Sequence, residues 1–147
     1  MITENKIDSS KNSLKHNLLF QVILPLILGT CIYIFFRPTQ TVAESFLSWN
    51  FVPLFDLNKY WLGRVILGSL PDFLWLFSLL TLVRMIWVTK ENIPLVLTII
   101  LYITPILSEV LQYFKVISGT GDLFDVLAYL IAISIFHNNF STKNQIQ

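Results

Sequence analysis

Four long apolar runs leave this chain few ways to fold in water. They extend over about Asn17–Phe36, Phe73–Val88, Ile93–Phe114 and Leu123–Phe136. Each approaches the roughly 20 residues a helix needs to cross about 30 Å of hydrocarbon. The second and fourth are short, so membrane thinning, snorkelling or modest tilt must accommodate them. Backbone amides in lipid have only a helix or a closed barrel available. The runs lack the alternation of a half-buried strand, which selects helices. The sequence therefore predicts an all-α integral membrane protein with four transmembrane helices.

Composition agrees. The 147 residues are 54% hydrophobic and 13% charged, with a mean hydropathy of +0.67. A soluble domain would carry about twice that charge. A net charge of +1, with no basic run interleaved with aromatics, gives no nucleic-acid signature. Length suggests one domain, taken as residues 17–137 between polar tails at 1–16 and 138–147. Cys31 is the only cysteine, so no intrachain disulfide and no Cys-based metal site can form. It reads as packing filler in an apolar run.

Lys6, Lys11 and Lys15 precede the first run like the basic region of a signal peptide. The run is too long for one and ends in Arg37-Pro38 without a small-residue cleavage site. It reads as a retained span. Lys6, Lys11, Lys15, Arg84, Lys90 and Lys143 then fall on the N-terminal side of the membrane, against Arg37, Lys59, Arg64 and Lys115 on the other. That bias places both termini in the cytoplasm. The connection over residues 39–70 is rich in Trp, Phe and Leu but broken by Pro53, Asp56, Lys59, Gly63 and Arg64. It reads as an interfacial or re-entrant helical segment. Such a segment either caps the bundle or acts as a lid or lateral gate.

The chemistry concentrates in Ser108–Tyr129, where Glu109, Gln112, Asp122 and Asp125 flank a short turn containing Gly119 and Gly121. A carboxylate at membrane depth costs a few kcal/mol on lenient scales, so such a group needs a partner, a proton or water. Glu109 and Gln112 are three apart on one helix face. Pro105 lies one turn earlier and frees a backbone carbonyl. Asp122 suits an N-cap or first-turn position. Asp125 lies three residues on and Tyr129 one further turn along. An antiparallel pairing of spans three and four brings these groups into one cleft at the outer surface. Asp72, after Pro71, reads as a first-turn capping residue of span two. Arg64, Lys115 and Arg37 are the counter-charges available on that side.

The order E-x-x-Q, short loop, D-x-x-D and apolar helix, carried by Glu109, Gln112, Asp122 and Asp125, resembles the VanZ-like family of small bacterial membrane proteins. Four spans and an Arg37-Pro38 start to a long outer loop are compatible with it. Tyr129 and Ala132 stand where that family usually has Asn and Gly, and Asp72-Phe73 where it tends to have His-Phe. The resemblance implies a bacterial cytoplasmic membrane protein acting at the cell envelope. The founding members are associated with teicoplanin resistance.

Three functions fit the residues. One is an accessory protein whose cleft binds an envelope lipid, a glycan intermediate, a glycopeptide-like compound or a partner membrane protein. A second is a membrane enzyme using Glu109 and Asp125 as acid and base. A third is a structural subunit of a membrane complex. His16 and His137 fall at the cytoplasmic ends, so no Ser-His-Asp or Cys-His set assembles at the acids. No phosphate-binding G-x-x-x-x-G-K-[ST] loop is present. An enzyme would then work through paired carboxylates or through a divalent cation held by Glu109, Asp122 and Asp125.

Overall fold

A computed structural model describes residues 16–36, 60–87, 93–119 and 121–141. The described residues form four helices: α1 His16–Phe36, α2 Trp61–Ile86, α3 Leu95–Tyr113 and α4 Leu123–Ser141. No strand occurs among the described residues. The first three are long and apolar enough to cross a membrane. The apolar part of α4, Leu123–Asn138, is shorter. Their outer faces are apolar, with Ile27, Ile66, Ile103 and Ile131 all about half exposed or more. That is the pattern of a protein whose solvent is lipid.

The widened first turns of α1 have a local cause. Leu19–Ile23 is a π segment, in which the Leu24 N–H reaches back to the Leu19 carbonyl. Pro25 follows directly, and in a regular helix its ring would press on the carbonyl four residues earlier. The π turn opens that space.

The second helix starts at Trp61 rather than at Phe73. Pro71 does not begin it but lies inside it, fully buried. Proline is tolerated within membrane helices because neighbouring helices and polar side chains satisfy the freed backbone. The Pro-Asp pair therefore imitated a helix start. As a correction, Asp72 is not a first-turn cap but an interior residue of α2. The part of the interfacial segment at 61–70 is continuous with this helix, while its remainder at 39–59, with Arg37 and Lys59, lies outside the described residues. So do most of the two polar tails.

The α2 helix is the centre of the fold. It packs against both α1 and α4, and α4 packs in turn on α3. On one side Gly29 of α1 lies against Trp75, whose indole nitrogen would sit 2.9 Å from any added Cβ. Tyr33 meets the same indole with ring centroids 5.4 Å apart. On the other side Leu76 and Leu80 form the core with Tyr129, Ala132 and Phe136 of α4. Leu101, Tyr102 and Ile106 of α3 complete it. Two pairs fix the direction of α3 and α4: Glu109 with Asp122, and Tyr102 with His137 at 6.0 Å. They are antiparallel. Trp61 against Phe124 and Asp72 against Tyr129 show α2 and α4 running the same way.

The buried face of α2 carries hydroxyls as well as leucines. Ser78 donates to the Leu74 carbonyl at 2.7 Å. Thr81 is wholly buried, and its hydroxyl has no hydrogen-bond partner among the described residues. A buried hydroxyl without a partner costs about 1–3 kcal/mol. Thr81→Val keeps the shape and removes that cost. It is expected to raise stability by about 1 kcal/mol, read as an upward shift of the midpoint in reversible detergent unfolding.

Candidate functional site

The acidic groups collect at the end of the bundle where α3 stops and α4 starts. The last turn of α3 closes in a Schellman arrangement. The Val116 N–H bonds the Leu111 carbonyl at 2.9 Å and the Lys115 N–H bonds Gln112, also at 2.9 Å. This puts Lys115 at φ 57°, in the left-handed region that glycine normally fills at such a position. The chain then folds back so tightly that a Cβ on Gly121 would lie 2.6 Å from the Glu109 carbonyl and also strike the Tyr113 backbone. Gly119, at φ 142°, rests on the Gln112 side chain with no room for a Cβ.

That close return places the Glu109 carboxylate over the start of α4. Its Oε2 accepts the Asp122 N–H at 3.2 Å. Glu109 is 7% exposed, so the bond satisfies a buried acceptor with one of the donors a helix start leaves unused. Asp122 immediately precedes the first residue of α4 and receives the Phe124 N–H on Oδ1 at 3.0 Å. This is the N-cap geometry. Asp125 follows in the first turn, where a negative charge meets the positive end of the helix.

The structure adds Asp72 and Tyr129 to this group as a pair. The Tyr129 hydroxyl donates to Asp72 Oδ1 at 3.2 Å. Asp72, Glu109 and Asp125 all lie close enough to Tyr129 for their charges to act on it. The pairing is not legible in the sequence, because 57 residues separate its members. Its one available signal was a carboxylate and a phenol that both needed partners inside apolar helices.

The other sequence candidates are placed differently. The Gln112 side chain lies against Gly119 in the turn. Lys115 is exposed at the helix end. Arg64 lies in the first turn of α2, and its side chain is outside the described set. His137 stacks edge-on with Tyr102, away from the acids. Among the described residues no three His, Cys, Asp or Glu side chains gather closely enough to hold a metal ion.

Two pockets flank α3. One, of about 490 Å³, opens at the α3–α4 hairpin between Glu109, Tyr113, Phe114, Asp122 and Val126. The Tyr113 and Phe114 rings meet edge-to-face at 5.5 Å and are largely exposed. The other, of about 380 Å³, lies between α2 and α3, with Tyr129 of α4 also in its wall. The hairpin pocket combines two carboxylates with two aromatic rings and an apolar floor. It suits an amphipathic molecule with hydrogen-bond donors or positive charge.

The tight turn yields a contrast. Gly121→Ala drives a methyl into the backbone of α3 and is expected to cost about 2 kcal/mol or more. Lys115→Gly relieves a left-handed residue and is expected to stabilise by about 1 kcal/mol. Thermal unfolding of the two purified variants in one detergent reads both signs. Comparison with family models, with curated proteins and with solved structures finds no match to this chain.

Proposed function

We propose that this chain is a VanZ-like, four-span accessory protein of the bacterial cytoplasmic membrane. Both termini lie in the cytoplasm, and the acidic end of the bundle faces outward. Its hairpin pocket binds an envelope lipid or a related amphiphile through Glu109 and Asp122, with Asp125 setting the local potential. One observation carries this reading. A glutamate with only 7% of its surface exposed lines an open pocket together with Asp122 and the Tyr113 and Phe114 rings. A buried charge with a helix-end donor on one oxygen and a pocket beside it is arranged for binding as well as for holding the turn. The Lys and Arg distribution supports the orientation.

The test is native mass spectrometry of the full chain released from detergent. Glu109→Gln keeps a carbonyl acceptor for the Asp122 N–H and removes the charge. The fold is therefore expected to survive with a loss of about 1 kcal/mol. Wild type is expected to carry a discrete co-purified lipid or amphiphile that is lost from Glu109→Gln/Asp125→Asn. Equal adducts on equally folded proteins would make the acids a structural clamp, and the chain a subunit of a larger membrane assembly.

A further inference from the structure

The second pocket, between α2 and α3, lies at a different depth from the hairpin. Its α3 wall carries Leu101, Thr104, Pro105 and Ser108, and Trp75, Leu76 and Leu79 line it from α2. Asp72 and Tyr129 close it toward the acidic end, where the Tyr129 hydroxyl is already committed to Asp72. Thr104 is the central residue of α3, Leu95–Tyr113, and sits about 14 Å from either end at 1.5 Å per residue. In a helix long and apolar enough to cross a membrane, that is the middle of a hydrocarbon layer about 30 Å thick.

Two hydrogen-bonding groups meet at this depth. The first is a hydroxyl. Thr30, Ser78, Thr98, Ser108 and Ser134 each donate to a carbonyl of their own helix or its cap, the usual local solution for such side chains. Thr104 makes no such bond among the described residues, and its exposed side chain lines the pocket. The second is a carbonyl. Pro105 lies inside α3 and has no N–H to give to the Leu101 carbonyl four residues earlier. Helical carbonyls point toward the C-terminus and side chains lean toward the N-terminus, so the two groups converge within one turn of the pocket wall. The hydroxyl can donate, and the carbonyl can only accept.

That pair matches a neutral hydroxyl, which both donates and accepts. A charged head is costly at the bilayer centre whatever its sign. The selection therefore asks nothing of Asp72. The rest of the wall beside Thr104 is apolar. Leu79 and Ile100 are about half exposed, which opens the pocket sideways to lipid. Its volume of about 380 Å³ takes about a dozen heavy atoms at roughly 30 Å³ each.

We infer that the α2–α3 pocket binds a neutral long-chain alcohol drawn from the bilayer. Its hydroxyl donates to the Leu101 carbonyl and accepts from Thr104, and its chain lies against Leu76, Leu79 and Ile100. The site rests on α3 crossing the membrane and does not depend on what the hairpin pocket binds.

The experiment uses the full chain in phosphatidylcholine nanodiscs, whose head groups carry no N–H or O–H donor. Dodecanol with a diazirine in its chain is photolysed on the protein, and the labelled residues are mapped by mass spectrometry. Label is expected on the α2 and α3 segments lining the pocket. At equal mole fraction in the bilayer, unlabelled dodecanol is expected to displace it about fivefold better than dodecyl methyl ether, which accepts but cannot donate. Fivefold is about what one neutral hydrogen bond contributes. Dodecylammonium and dodecanoate should both displace it poorly. Thr104→Val keeps the side-chain shape and should weaken binding of alcohol and ether alike by about fivefold. Pro105→Ala returns an N–H to the Leu101 carbonyl and should abolish the preference for alcohol over ether. Label spread over all lipid-facing helices, equal displacement by alcohol and ether in wild type, or undiminished label in Thr104→Val would overturn the assignment. So would an alcohol preference that survives in Pro105→Ala.

Discussion

The Glu109–Asp122 hydrogen bond is the constraint around which the acidic end is arranged. A carboxylate one turn inside a membrane helix cannot be left without a donor. The nearest strong donors are the unused N–H groups of the next helix start. Reaching them requires α4 to begin almost on top of the end of α3. That requirement explains the left-handed Lys115, the glycine at 121 with no room for a Cβ, and the cap made by Asp122. The turn is short because an acid has to be satisfied, and the pocket beside it follows from the same fold-back.

A different logic governs the rest of the bundle. Lipid supplies little hydrophobic drive between helices, so close packing and small residues decide which of them meet. The α2 helix meets both conditions on two faces. Trp75 fits against Gly29 on one, and Leu76 and Leu80 receive the small Ala132 on the other. Thr81 and Ser78 are buried on the same helix. The α3 helix has the least buried surface of the three long spans. It is held to the bundle by Glu109, by the Tyr102–His137 contact and by Leu101 and Ile106 against the core. That leaves room on its α2 side for a pocket.

Much of this was legible in the sequence. The start of α4 at Leu123, the extent of α3 and the run of α1 follow from hydropathy and turn chemistry, because those signals are local. Asp122 at the helix start followed from the same reasoning. The start of α2 was not legible, since Pro71-Asp72 looks like a helix N-terminus and only packing shows that it is buried. Gln112 shares a helix face with Glu109 by spacing, and its side chain also packs against the turn at Gly119. That depends on backbone angles at Gly119 which the sequence permits but does not specify. The Asp72–Tyr129 bond joins two helices that are not consecutive, and no local pattern encodes such a pair.

The described hydrogen bonds at the acidic end come from backbone N–H groups and a phenol. Among the described bonds Glu109 is served by the N–H of the cap residue Asp122, Asp122 by the Phe124 N–H of α4, and Asp72 by a phenol. Backbone donors are fixed by the helix and carry no net charge. They satisfy individual oxygens without adding charge of their own, so Glu109 is tied to the start of α4 and Asp72 to a neighbouring helix by geometry. The same kind of bond thus closes the α3–α4 turn and links α2 to α4, and both depend on how closely the helices approach.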